Sequence, residues 1–229
     1  MLKSLVQGAL RPVYRWLPTG LRVAAATLAA EWTVYRIHRA GRRKSAAYAS
    51  KTHLKLNVGC GPNVKSDWVN IDLAPGADLT LDLREPIPLK DGCCSMIYSE
   101  HFFEHLQHPR DTMRFLSEAF RLLEPGGIFS VGVPDTEWPL KAYSDDKDNY
   151  FGSAGKIFHP PKCKTKLDHI NYHFRQDGEH KYAWDFETLK NALEDIGFRN
   201  CARRDFDPAL DSESRILGTL YVDVTRGAR

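Results

Sequence analysis

A short alternating run, Leu54-Lys55-Leu56-Asn57-Val58, stops at Gly59-Cys60-Gly61-Pro62-Asn63, a strand running straight into a glycine turn. The same rhythm of apolar run and turn residues continues downstream. It predicts strands at Trp68–Leu73, Asp78–Leu83, Cys94–Ser99, Ile128–Val133, Phe198–Phe206 and Ile216–Thr225, and helices at Pro109–Leu123 and Asp185–Ile196. Glu124-Pro125-Gly126-Gly127 stops the first of these helices; Asp185 caps the second and Gly197 ends it. Strands alternating with helices give an α/β fold, an open, mostly parallel sheet with helices on its faces. Ligands of such sheets sit beyond the carboxyl ends of the strands, so the residues just after each strand are the informative ones.

The chain has 229 residues, enough for one such domain with some extra. Hydrophobic residues at 42% and charged residues at 27% exclude intrinsic disorder, collagen and polytopic membrane classes. Five cysteines without a CxxC pair make no disulfide framework, which points to a reducing, cytoplasmic compartment. Charge is unevenly placed: residues 1–53 hold ten Lys and Arg against Glu31 alone, while the remainder is mildly acidic. An acidic body argues against nucleic acid as the main partner. The division expected is a basic amphipathic helical leader at 1–50 and an α/β domain at 51–229, with an insertion at 138–182.

Within the leader, Leu2, Leu5, Val6, Ala9, Leu10, Val13 and Leu17 form one apolar stripe, and a second helix follows from Leu21 to about Ala40. Neither is long and apolar enough to be a convincing membrane span. The stripe and the basic residues fit peripheral contact with an anionic membrane through residues 1–44, on the inner face. Two other readings stay open: a helical pair packed on its own domain or on a dimer mate, and a targeting leader.

At the ligand end, glycines at 59 and 61 let a backbone come close to a ligand. Asp72 ends the second strand, where a carboxylate accepts from a ribose diol. Asp82-Leu83 ends the third, where a carboxylate takes an adenine amino group beside an apolar wall. Two acids on the strands following a glycine turn make a nucleoside pocket. A dinucleotide fingerprint would need a third glycine, where Val64 stands, and an acid about 20 residues on; Asp72 comes only 11 residues after Gly61. A ligand with ribose and adenine but no phosphate fits better, and S-adenosylmethionine is such a ligand.

These segments, together with Ile97-Tyr98-Ser99-Glu100-His101-Phe102-Phe103-Glu104-His105-Leu106, Leu122-Leu123-Glu124-Pro125-Gly126-Gly127 and His180-Lys181-Tyr182-Ala183-Trp184-Asp185, resemble the class I S-adenosylmethionine-dependent methyltransferases. The likeness is greatest to a bacterial subgroup associated with cell-surface glycan genes. The resemblance implies a Rossmann-like, seven-stranded sheet with its last strand antiparallel, preceded by the N-terminal helical extension. It implies a cofactor site of Asn57, Gly59, Cys60, Gly61, Asp72, Leu73, Asp82, Leu83, Ser99 and Glu100. In this sequence Asn57 replaces the acid of many relatives. Only Pro62 to Asp67 link Gly61 to the next strand, so the usual first helix shrinks to a turn, and the leader or the insertion is expected to cover the exposed sheet face.

Methyl transfer needs an aligned nucleophile and a base for its proton. His101, just past the fourth strand, is the first candidate and His173 the second; Asp135, at the same rim, is expected to contact the acceptor, while Glu104 and His105 are read as setting the start of the following helix. Aromatic residues of the insertion suit a lid over a small or glycan-linked acceptor carrying a hydroxyl. His159, Cys163, His169 and His173 have spacings that could ligate a metal, but loop histidines of a polar insertion are read as solvated, and no metal is expected. The rival to an enzyme is a catalytically inactive, membrane-tethered scaffold that binds the cofactor.

Overall fold

The computed structural model describes residues 16–145 and 149–227. A long helix, α1 (Thr19–Lys44), precedes β1 (Leu54–Val58), β2 (Val69–Asp72), β3 (Leu79–Thr80) and β4 (Cys94–Glu100). Then come α2 (Arg110–Leu122), β5 (Leu123–Pro134), α3 (Glu137–Ser144), α4 (Ala154–Phe158) and α5 (Lys166–Arg175). The chain closes with α6 (Phe186–Ile196), β6 (Phe198–Arg204) and β7 (Thr219–Arg226). The strands form one seven-stranded sheet in the order β3-β2-β1-β4-β5-β7-β6. β1 to β5 pair in parallel, and β7, last in the chain, runs antiparallel to both β5 and β6. The expected fold is therefore present. Strand order reverses between β1 and β4, so the ligand crevice of this topology lies beyond their carboxyl ends.

Strands buried on both faces read as continuous apolar runs, and the inner residues Leu56, Val58, Ile71, Phe129 and Val131 are wholly buried. Phe103 lies 5.0 Å from Trp184 and 6.1 Å from Phe115, ring centre to ring centre, which locks the segment after β4 onto α2 and onto the residues preceding α6.

Several boundaries move, each for a local reason. The third strand contracts to Leu79–Thr80, because the Asp82 N–H leaves the ladder and donates to His38 Nδ1 of α1. β5 starts earlier than predicted, since Leu123 already pairs with Cys94. β7 starts later, after a short turn of helix at Glu213–Arg215. Glu104 and His105 do not open a helix: they sit in a single turn at Phe103–His105, and α2 begins only at Arg110.

The first helix is indeed absent between Gly61 and β2, and a segment that the sequence reading did not name stands in its place. Tyr98 of β4 is covered by Lys65, whose ammonium stands 4.7 Å from the ring centre, and its hydroxyl donates to Asp211 at 3.0 Å. Asp211 belongs to the 205–218 connection between β6 and β7, and Arg204 anchors it with contacts of 2.5 and 2.7 Å. Among the described residues this strap fills the position.

The leader stretch 2–17 lies, apart from its last two residues, outside the described residues. The second leader helix is longer than expected and is docked by one end. A Cβ on Gly41 would lie 2.1 Å from the Thr80 carbonyl oxygen, so only glycine permits this approach to β3. Arg84 bridges Glu31 of α1 to Asp82 with bonds of 2.7 to 3.1 Å. The other end is exposed: Leu28 is 73% and Trp32 62% accessible. Among the described residues no helix is long and apolar enough to cross a membrane.

Candidate active site

Two sets of side chains meet beyond the carboxyl ends of β1, β2, β4 and β5. The first set surrounds the glycine turn. Gly59 and Gly61 both have positive φ, 66° and 51°, but for different reasons. A Cβ on Gly59 would meet Phe102 Cγ at 2.3 Å, so this glycine serves packing. A Cβ on Gly61 would meet nothing within 4 Å, so that side of the turn is an open cradle able to receive a ligand. Asp72 accepts from Gly61 N at 2.9 Å and from Ala74 N at 2.7 Å, which holds the turn against the end of β2. Each carboxylate oxygen retains a lone pair for a ribose hydroxyl.

Asn57 donates from its amide to Asn63 O and to Asn70 Oδ1, both at 2.9 Å, leaving only its oxygen for a water bridge to a cofactor ammonium. Burial pushes the Cys60 thiol up to about 11, and it acts as a small packed group. Leu73, next to Asp72 in the chain, is half-buried, and Leu83 is buried beside Asp82. The Asp82 carboxylate is held by Arg84, so its part in adenine binding is shared with a structural duty toward α1. Glu100 accepts from Ser212 N at 3.1 Å, Ser212 Oγ at 2.6 Å and Tyr221 Oη at 3.1 Å. Ser99 Oγ beside it is buried without a partner. An open cradle, acids at consecutive strand ends and an orphaned hydroxyl suit a cationic, ribose-bearing and phosphate-free molecule.

The second set lines a cavity of about 270 Å³ on the β4–β5 side, bounded by His101, Glu104, His105, Asp135, Tyr150, His159, Tyr172, His173, His180 and Arg215. His101 has a φ of 52°, a left-handed conformation that costs a non-glycine residue about 1 kcal/mol or more and clusters at functional sites. Its Nε2 lies 2.8 Å from Thr219 Oγ1, and its Nδ1 lies 3.6 Å from Glu104 Oε1. Burial drives the His101 imidazole down to about 3, so it stands as the neutral base form. Burial pushes the Glu104 carboxyl up to about 8. His173 lies in the same cavity, is lowered to about 3 by burial, and has a buried Nε2 without a partner. Asp135 caps the start of α3 by accepting from Glu137 N at 3.0 Å, and burial raises its carboxyl.

The structure thus brings both candidate bases, His101 and His173, and the candidate acceptor contact Asp135 to one cavity. It corrects one reading of the insertion: His159, His169 and His173 are not solvated but packed together, with His159 and His169 Nδ1 atoms 2.8 Å apart. Sequence reasoning missed the 205–218 strap, which reaches both the Glu100 carboxylate and the cavity rim. No periodicity marks it; its one signal is the acid-rich run Asp205 to Glu213 ending in Arg215. It also missed His180, which the bonds from Lys181 N and Tyr182 N to Glu104 O (2.8 and 3.3 Å) carry to the site.

Among solved structures the chain is similar to S-adenosylmethionine-dependent methyltransferases from three organisms. For that of Archaeoglobus fulgidus the identity is 18%, covering 81% of this chain and 91% of that one, with a TM-score of 0.47. For Methanosarcina mazei the figures are 15%, 80%, 97% and 0.48, and for Mesorhizobium loti 16%, 77%, 92% and 0.47. No curated protein matches the chain. Residues 53–202 match the family described as the methyltransferase domain. The chain belongs to that family and is an S-adenosylmethionine-dependent methyltransferase.

Proposed function

We propose that the enzyme methylates a hydroxyl of a small or glycan-linked acceptor seated in the histidine-lined cavity. The observation that carries this reading is His101: a neutral imidazole held in a strained conformation at the end of β4, on the rim that separates the glycine turn from the cavity. S-adenosylmethionine supplies the methyl group. Gly61, Asp72 and Leu73 would hold its ribose side, Asp82 and Leu83 its adenine, and Asn57, Gly59, Cys60, Ser99 and Glu100 its methionine side. The chain's own task is to align the acceptor, exclude water and remove a proton. His101 Nδ1 takes the hydroxyl proton, while Asp135 and His173 orient the acceptor. Tyr172, half-buried on the cavity wall, offers a ring of the kind that stacks on sugars, which supports the glycan-linked class and the likeness to methyltransferases of cell-surface glycan genes.

The exposed face of α1 supports peripheral binding to an anionic bilayer through residues 1–44. Leu21, Leu28 and Trp32 are accessible there, and Arg36, Arg39, Arg42, Arg43 and Lys44 follow. The test of the enzymatic reading is calorimetry with S-adenosylhomocysteine on the wild type and Asp72→Ala, followed by labelled methyl transfer into fractionated envelope material. Binding without transfer to any fraction would favour the scaffold reading.

A further inference from the structure

We infer that Glu104, His105 and His180 bind one divalent first-row metal ion at the mouth of the cavity. One ligand atom from each residue lies within 4.8 Å of the others. Ligands about 2.1 Å from a common ion stand roughly 3–4 Å apart, so small side-chain movements close the set.

The hydrogen-bond pattern fixes which ring nitrogens carry the hydrogen. His105 Nδ1 lies 3.1 Å from the Glu179 carbonyl, and His180 Nδ1 lies 2.8 Å from the His173 carbonyl. A carbonyl only accepts, so both Nδ1 atoms carry the hydrogen, and each neutral ring keeps its Nε2 lone pair free. His105 Nε2 is 3.8 Å from Glu104 Oε1. Rings oriented through N–H bonds to backbone carbonyls are the usual outer support of metal-bound imidazoles. His101 follows the same logic. The single hydroxyl hydrogen of Thr219 goes to Arg215 O at 2.6 Å, so His101 Nε2 donates to Thr219 and its Nδ1 lone pair faces the same Glu104 oxygen at 3.6 Å. Meanwhile Glu104 Oε2 is buried without a partner. With Glu104 ionised, lone pairs and a carboxylate converge there, an arrangement that a cation resolves. Two imidazoles and one carboxylate suit zinc, manganese or iron rather than calcium or magnesium, and leave coordination positions open toward the cavity.

The inference rests on the methyltransferase reading and reverses the expectation of no metal. In it, an acceptor hydroxyl fills an open position and is acidified by the ion. His101 Nδ1 takes its proton, and the oxygen lone pair forms the new bond to the methyl carbon. The pair of the breaking S–C bond stays on sulfur, giving the neutral thioether.

The full chain, stripped with a chelator and dialysed, would be titrated calorimetrically with Zn²⁺ and with Mn²⁺, and Co²⁺ loading followed by its visible absorption. One ion per chain is expected for at least one of these metals. His105→Ala and His180→Ala should each weaken binding at least about tenfold, and His180→Gln should behave like His180→Ala while keeping the wild-type circular dichroism. His159→Ala, in the neighbouring imidazole pair, should bind as the wild type does. Absence of binding, binding undiminished in the His105→Ala/His180→Ala double variant, or loss confined to His159→Ala would each overturn the assignment. S-adenosylhomocysteine binding by the same stripped samples separates the two claims. If it persists while metal binding fails, only the metal site is lost; if the wild type does not bind it, the methyltransferase reading itself fails.

Discussion

The two halves of the site are built from the same parts, polar side chains at the ends of parallel strands, yet they are finished differently. Around the glycine turn the acids are engaged: Asp72 by Gly61 and Ala74, Asp82 by Arg84, Glu100 by Ser212 and Tyr221. Around the cavity the groups are underused, with Glu104 Oε2 and His173 Nε2 buried and unpartnered. Satisfied polar groups hold a shape, whereas unsatisfied ones carry a desolvation cost that a ligand or substrate can relieve. Apart from the orphaned Ser99 hydroxyl, the glycine-turn half is thus a preformed scaffold, and the cavity half is where more has been left open.

Replacements that affect one half only are the sharpest way to break this division. The largest effect is expected for His101→Gln: a fall in kcat of about 10²- to 10⁴-fold, as for loss of a general base, with S-adenosylhomocysteine affinity unchanged by calorimetry. If affinity falls as steeply as turnover, the halves are not separate. Next comes Phe103→Ala, which removes the wholly buried ring that ties the two regions to the core through Trp184 and Phe115. It should cost about 3–5 kcal/mol in denaturant unfolding; a cost below about 1 kcal/mol would mean the junction is loosely packed. Asp72→Ala is the mirror of His101→Gln. Loss of a charged hydrogen-bond partner of about 1.5–3 kcal/mol corresponds to roughly 10- to 150-fold weaker S-adenosylhomocysteine binding. Undiminished binding by this variant would remove the ribose assignment.

The smallest effect concerns the helix docked at the far edge of the sheet. Burial lowers the His38 imidazole below its ordinary value, and its Nδ1 must stay unprotonated to accept from Asp82 N. Asp82 and Glu85 favour the cation there and Arg42 opposes it, but burial dominates. Because the unfolded chain binds the proton more readily, stability rises with pH between the lowered folded value and the unfolded value near 6.5. It is full above 6.5 and declines below. Hydrogen exchange along α1 should quicken as pH drops under about 6.5, and His38→Gln should flatten that dependence. An unchanged pH response in the variant would mean that another group controls the docking.

Much of this molecule is legible along the chain, and the reason lies in how local its signals are. The Leu54–Val58 run and its glycine turn, the Asp185 cap and the Gly197 stop concern residues a few positions apart, and each stands as read. Asp72 could be placed because a strand end and a turn eleven residues back obey a fixed crossover geometry. By contrast, the sequence offers a reason for Gly59 in ligand approach but none for its contact with Phe102, a packing partner no spacing announces.

The sequence alone determined the order of elements, the parallel sheet and the edge at which the candidate site lies, since periodicity, capping and handed crossovers are written in near neighbours. Tertiary structure alone decided which distant groups share a pocket: His180 beside His105, the 205–218 strap over Tyr98 and Glu100, and Arg84 between Asp82 and Glu31. Those meetings depend on how loops of no regular pattern close over the sheet, and on desolvation that exists only once they have closed.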